Sequence, residues 1–159
     1  MDTKEHVEHL LKNYHDMKRS LENLKLEVEC FSGLSHDKVI ETLNYMAPVG
    51  ERVTSNSVSD KSGRIALMYR EVADAQNDDI LRELHEQFYT LKTELDMLEH
   101  RINLLEPKLS GLIRDMFIAG LSWPVLCKKY NVSYATIGRY RNRGIAELCR
   151  MYDVRKAIC

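Results

Sequence analysis

SWPVLCKKYNVSYATIGRYRNRGIAEL, residues Ser122–Leu148, decides how the chain is read. Ser122 is placed to cap a short helix, and Pro124 is tolerated in its first turn because the amide it removes has no intrahelical partner there. The helix is predicted over Trp123–Tyr130. Asn131 follows where a tight turn needs a positive φ, a conformation that asparagine reaches at lower cost than most residues. Val132 then points back into a small core, and Ser133 caps a second helix from about Tyr134 to about Tyr152. A close crossing of two such helices needs a small side chain midway along the first, and Cys127 stands there. Leu126, Val132, Ile137, Ile145 and Leu148 make the shared core.

On the N-terminal side, Leu109, Leu112, Ile113, Met116 and Phe117 recur at helical spacing up to Gly120, a C-cap. They supply a third helix to bury the pair. Such a trio is the helix-turn-helix arrangement, whose second helix lies in the major groove of double-stranded DNA. Tyr134, Thr136, Arg139 and Asn142 fall on or near its exposed front and are the candidate base contacts. Arginine can donate two hydrogen bonds to guanine and asparagine can pair with adenine, which puts Arg139 first. Lys128, Lys129, Ser133 and Arg143 are candidate phosphate contacts, while Tyr140 and Arg141 are equally suited to packing the domain. For any one of these cations the plain alternative is a solvated surface charge. Trp123 reads as a packing residue. Gly138 costs helix stability, so it implies a close approach of something to the backbone, either DNA or the preceding helix.

The run LIRDMFIAGLSWPVLCKKYNVSYATIGRYRNRGIAEL resembles the promoter-reading C-terminal region of bacterial sigma factors. It is also similar to phage-encoded regulators of the ArpU and RinA type, which pair such a domain with a helical N-terminal part. Gly50–Met68, GERVTSNSVSDKSGRIALM, adds a weaker likeness to the second group. The stronger likeness covers about a quarter of the chain. It departs from the pattern at Asn131, where glycine is usual, at Gly138, and at Tyr140-Arg141, where an aliphatic residue is expected. The resemblance implies a transcriptional regulator of phage or prophage type, and the sigma likeness permits contact with RNA polymerase.

Val7, Leu10, Tyr14, Met17, Leu21, Leu24, Val28 and Phe31 alternate at spacings of three and four, an a/d seam that predicts one long amphipathic helix. Leu81, Leu84, Phe88, Leu91, Leu95, Leu98, Ile102 and Leu105 repeat it, until Pro107 breaks or kinks the run. Between the seams, short helices are predicted at 37–46 and 61–75, with a polar loop at Ser55–Ser57 and Asp60 as a cap. The predicted fold is therefore all-α: long heptad-patterned helices, paired as a hairpin, a coiled-coil dimer or both, followed by a three-helix C-terminal domain. The expected division is 1–107 for oligomerisation, with a connector near 32–78, and 108–159 for DNA binding.

The 159 residues are 44% hydrophobic and 30% charged, within the range of a folded, water-soluble chain. No apolar run approaches the roughly 20 residues of a membrane helix, and MDTKEHVEH lacks the apolar stretch of a signal peptide. A cytoplasmic location without membrane contact is expected. Four cysteines without a CxxC pair point to reduced thiols. The net charge of −1 conceals a division: from Lys108 onward ten Lys/Arg face three acids, giving +7, and the remainder carries −8. Phosphate attracts the basic end and is repelled by the rest.

No catalytic residue, metal or cofactor is expected. His6 and His9 stand about one helical turn apart, but as surface residues near a terminus they read as solvated. His85-Glu86 starts an HExxH pattern that fails at Tyr89, and none of the glycines has phosphate-loop spacing. Two further function classes compete with a regulator that self-associates through its heptad helices. One is a DNA-packaging structural protein of the small-terminase kind; the other is a coiled-coil interaction protein without DNA binding.

Overall fold

A computed structural model describes residues 2–35, 37–39 and 58–156, with side chains for all of these except 58–67 and 154–156. The chain is all-α, with no strand among the described residues. Helices α1 (Thr3–Lys12) and α2 (Tyr14–Cys30) precede the 47-residue α3 (Val58–Leu104). They are followed by α4 (Pro107–Ile113), a π-helical turn (Arg114–Ile118), α5 (Trp123–Tyr130) and α6 (Tyr134–Lys156). No helix among the described residues is long and apolar enough to cross a membrane.

The single N-terminal helix expected from the first seam is divided at Asn13. Its Nδ2 and its backbone amide both donate to the His9 carbonyl at 3.0 Å, and its backbone turns to φ −97°, ψ 11°. An asparagine side chain that bonds nearby backbone competes with the regular ladder in this way. The helix predicted at 61–75 is not separate: it is continuous with the 81–105 seam in α3, and Asp60 lies inside α3 rather than capping it. Residues 37–39 are helical, whereas the rest of the 37–46 prediction and the polar loop at Ser55–Ser57 lie outside the described residues. Pro107 acts as expected. It opens α4, with Glu106 held at ψ 136°.

Two compact units result, Met1–Asn23 with Tyr89–Cys159, and Leu24–Phe88. In the second, Gly33 adopts φ +92° and the Leu34 amide donates to Asn77 Oδ1 at 2.8 Å, so a side chain of α3 satisfies the backbone just past α2. The first unit does not follow the boundary expected at 107/108. Val7, Leu10, Leu11 and Tyr14 share one core with Leu95, Leu98 and Ile102 of α3, Leu109 and Ile113 of α4, and Ile145 and Leu148 of α6. The reason is visible in α1. Leu11 widens the seam of Val7, Leu10 and Tyr14 into the broad stripe of a helix docking on a globular core. Polar contacts fix the docking: Thr3 Oγ1 donates to Asp153 Oδ1 at 2.6 Å, and His6 meets the Tyr152 ring edge-on at 5.5 Å. Tyr14 also donates to the Glu99 carboxylate. Within this unit the two seams therefore pack on each other in one chain.

Leu112, Leu126 and Ile137 form a second, smaller cluster with Met116, Cys127, Val132 and Tyr140 against it. This cluster joins α4, α5 and α6 and holds Leu126, Ile137 and the partly buried Val132 of the core expected from the sequence, whereas Ile145 and Leu148 belong to the larger core with α1 and α3.

Candidate nucleic-acid interface

The α5–α6 connection follows the local rules. α5 spans Trp123–Tyr130 with Ser122 extended at its N-cap position and Pro124 in its first turn, although the Ser122 hydroxyl makes no capping bond. Asn131 is left-handed at φ 52°, ψ 51°, and the Val132 amide donates to the Cys127 carbonyl at 3.1 Å, closing α5. Gly120, at φ +66°, ends the preceding π-helical turn. Ser133 does cap α6: its Oγ accepts the Thr136 amide at 3.3 Å.

α6 is amphipathic about its long axis. Ile137, Ile145 and Leu148 are buried, and Gly144 is buried among them. On the opposite face Ala135, Arg139, Asn142, Arg143, Ala146 and Arg150 are exposed at spacings of one, three and four. Two of the four base-contact candidates, Arg139 and Asn142, stand on this stripe. Arg139 makes no ion pair among the described residues, and Asn142 Oδ1 accepts from Arg141 at 3.2 Å. Thr136 is turned to the cap, its Oγ1 3.1 Å from Ser133 Oγ. Tyr134 lies to one side, stacked on Trp123 at 6.2 Å between centroids.

The phosphate candidates divide as well. Lys128 is exposed without an ion pair among the described residues. Lys129 pairs with Asp115 at 2.6 Å, and Arg143 pairs with Glu106 at 3.1 Å and Glu147 at 3.2 Å. Arg141 contacts Glu8 at 3.8 Å, and Tyr140 accepts from Lys108 at 2.9 Å, so this couple packs the domain. The +7 read from Lys108 onward is therefore partly offset by Glu8 and Glu106, which lie before Lys108 and which no local spacing connects to Arg141 and Arg143. Arg150, eleven residues beyond Arg139, joins the same stripe; helical period alone places it there, although it lies past the motif that supplies the other candidates.

Asp115 fastens α5 to the turn before it. Besides Lys129 it accepts from Tyr130 Oη at 2.7 Å. Burial by itself raises the Asp115 carboxyl, but hydrogen bonds from Lys129 and Tyr130, with the Lys129 charge, outweigh it and hold the group below its ordinary value. Burial, and then the bond to Asp115 and its charge, push Tyr130 up to about 12. A depressed carboxyl contributes stability that is present above its unfolded value, about 4, and is lost as pH falls through the folded one. Wild-type protein is expected to lose stability in that acid range more steeply than Asp115→Asn, as measured by urea unfolding at a series of pH values. Parallel curves for the two proteins would show that the Asp115 contacts contribute nothing. Asp115→Ala is expected to cost about 1–3 kcal/mol by leaving Tyr130 Oη without its acceptor.

Among the described residues no group of three or more His, Cys, Asp or Glu is placed to hold a metal ion. Comparison with protein-family models, with curated proteins and with solved structures finds no match to this chain.

Proposed function

We propose that this chain is a sequence-specific DNA-binding transcriptional regulator of phage or prophage type, acting in the cytoplasm and reading double-stranded DNA with the exposed face of α6. The observation that carries this reading is the stripe itself. Arg139 and Asn142, the side-chain types that pair with guanine and adenine edges, share an exposed helix face whose reverse side is fully packed. A long capped helix held rigidly from behind is what insertion in a major groove requires. Lys128 and Arg150 supply cationic side chains for phosphate, while Lys129 and Arg143 must exchange their acidic partners before they reach one. Self-association through the heptad helices and contact with RNA polymerase belong to the same proposal. Half-buried Leu81, Leu84 and Leu91 leave part of the second seam open to a partner.

The decisive experiment selects duplexes bound by purified protein from a random pool. One enriched motif is expected, with a symmetry that reports the subunit arrangement. Arg139→Ala should then relax base choice at one position and cost on the order of 1–3 kcal/mol of specific binding. Lys128→Ala should weaken all duplexes alike and flatten the salt dependence. Equal losses on selected and random duplexes for both variants would remove the assigned roles, and an unenriched pool would remove sequence reading.

A further inference from the structure

Two large aromatic side chains face solvent at one border of the α6 stripe: Trp123 is 37% exposed and Tyr134 55%. Trp123 and Tyr134 open α5 and α6, respectively, and their rings are stacked with only 16° between the planes. The indole also reaches across α6. A Cβ built on Gly138 would lie 3.8 Å from Trp123 Cη2, so no side chain stands between the ring and the helix one turn beyond Tyr134.

Along α6 the pad is bordered by polar and cationic residues. Tyr134, Gly138 and Asn142 succeed one another at four-residue spacing along α6, so the pad abuts Asn142 and the stripe that carries Arg139. A protein partner docking on the aromatic rings through apolar contacts would leave these cations and amides to be desolvated without matching charge. A duplex offers both chemistries at once. Its phosphates are anionic, and the thymine C5-methyl is the apolar group among the base edges of the major groove.

We infer that Trp123 and Tyr134 form a thymine-selective contact surface, receiving thymine methyl groups beside the bases read by Arg139 and Asn142. This rests on the proposed reading of DNA by α6 and adds a specificity element to it.

The test uses full-length protein and a duplex enriched from a random pool, prepared once with thymine and once with uracil, which lacks the methyl. Wild-type protein is expected to bind the uracil duplex about fourfold more weakly for each methyl group buried. The fluorescence of Trp123, the sole tryptophan, should change on binding the thymine duplex. In Trp123→Ala the thymine-to-uracil ratio should fall to one, while the salt dependence set by phosphate contacts is retained. Tyr134→Ser, at a position 55% exposed, provides the same comparison should Trp123→Ala fold poorly. Equal affinity of wild-type protein for the two duplexes, or a ratio that survives in the variants, overturns the pad and leaves DNA reading by Arg139 standing. A pool without any enriched duplex overturns both.

Discussion

Leu11→Ala is expected to destabilise the C-terminal helices by about 2–5 kcal/mol, although Leu11 lies nearly a hundred residues before α4 in sequence. Leu11 is 1% exposed in the core that also holds Leu109, Ile113, Ile145 and Leu148, so truncation leaves a cavity under α6. For a chain of this size the melting temperature should fall on the order of 10 °C, read by far-ultraviolet circular dichroism. The same packing bears on fragments. Residues 108–159 alone would expose Ile145, Leu148 and the partner side of Ile113, and are expected to lack a cooperative transition under conditions in which the whole chain is folded. Residues 1–107 would expose Val7, Leu10 and Leu11 in return, so any self-association of that fragment reflects an opened core as well as its heptads. A fragment 108–159 that melts cooperatively at the temperature of the intact chain would show that the docking of α1 is energetically idle.

Two glycines on α6 are expected to respond with opposite signs. Gly138→Ala should stabilise the protein by up to about 1 kcal/mol, because alanine is the better helix former and its methyl would meet Trp123 only at ordinary contact distance, 3.8 Å. Gly144→Val should destabilise it by about 1–3 kcal/mol. A Cβ there would sit 3.1 Å from Ile113 Cγ1 and 3.2 Å from Cδ1, and Ile113 is wholly buried with no room to retreat. Denaturant titration of the two variants checks the pair, and a stable Gly144→Val protein would mean that α4 and α6 can slide apart at low cost. The result also decides between the two sequence-based readings of Gly138. The side chain nearest to it belongs to the preceding helix, as the packing alternative has it, yet the contact is loose, so glycine is not required there by crowding. The close approach that a glycine implies occurs one helical face away, at Gly144.

The elements set by neighbouring residues are legible in the amino-acid sequence itself. Trp123–Tyr130, the left-handed Asn131, the Ser133 cap and the break at Pro107 each depend on the conformational limits of one or two residues, and those limits travel with the sequence. Burial of Leu126, Ile137, Ile145 and Leu148 is legible for a related reason, since helical period alone assigns them to one face.

Which face meets which partner is a different kind of fact. A heptad seam states that a surface must be buried and leaves its partner open. α1 packs on α3, α4 and α6 at once, and the added width from Leu11 is the one local sign that it docks rather than coils. Charge behaves likewise. Lys129 reads as a free cation because Asp115 stands fourteen residues away; for Arg143 the i,i+4 spacing to Glu147 is local, but Glu106 stands thirty-seven residues away, and only folding brings Asp115 and Glu106 within about 3 Å. The backbone's course through Ser122–Leu148 follows from steric rules that act over a few bonds. The availability of its side chains to a ligand follows from contacts between elements distant in the chain, which depend on the packing of the whole unit.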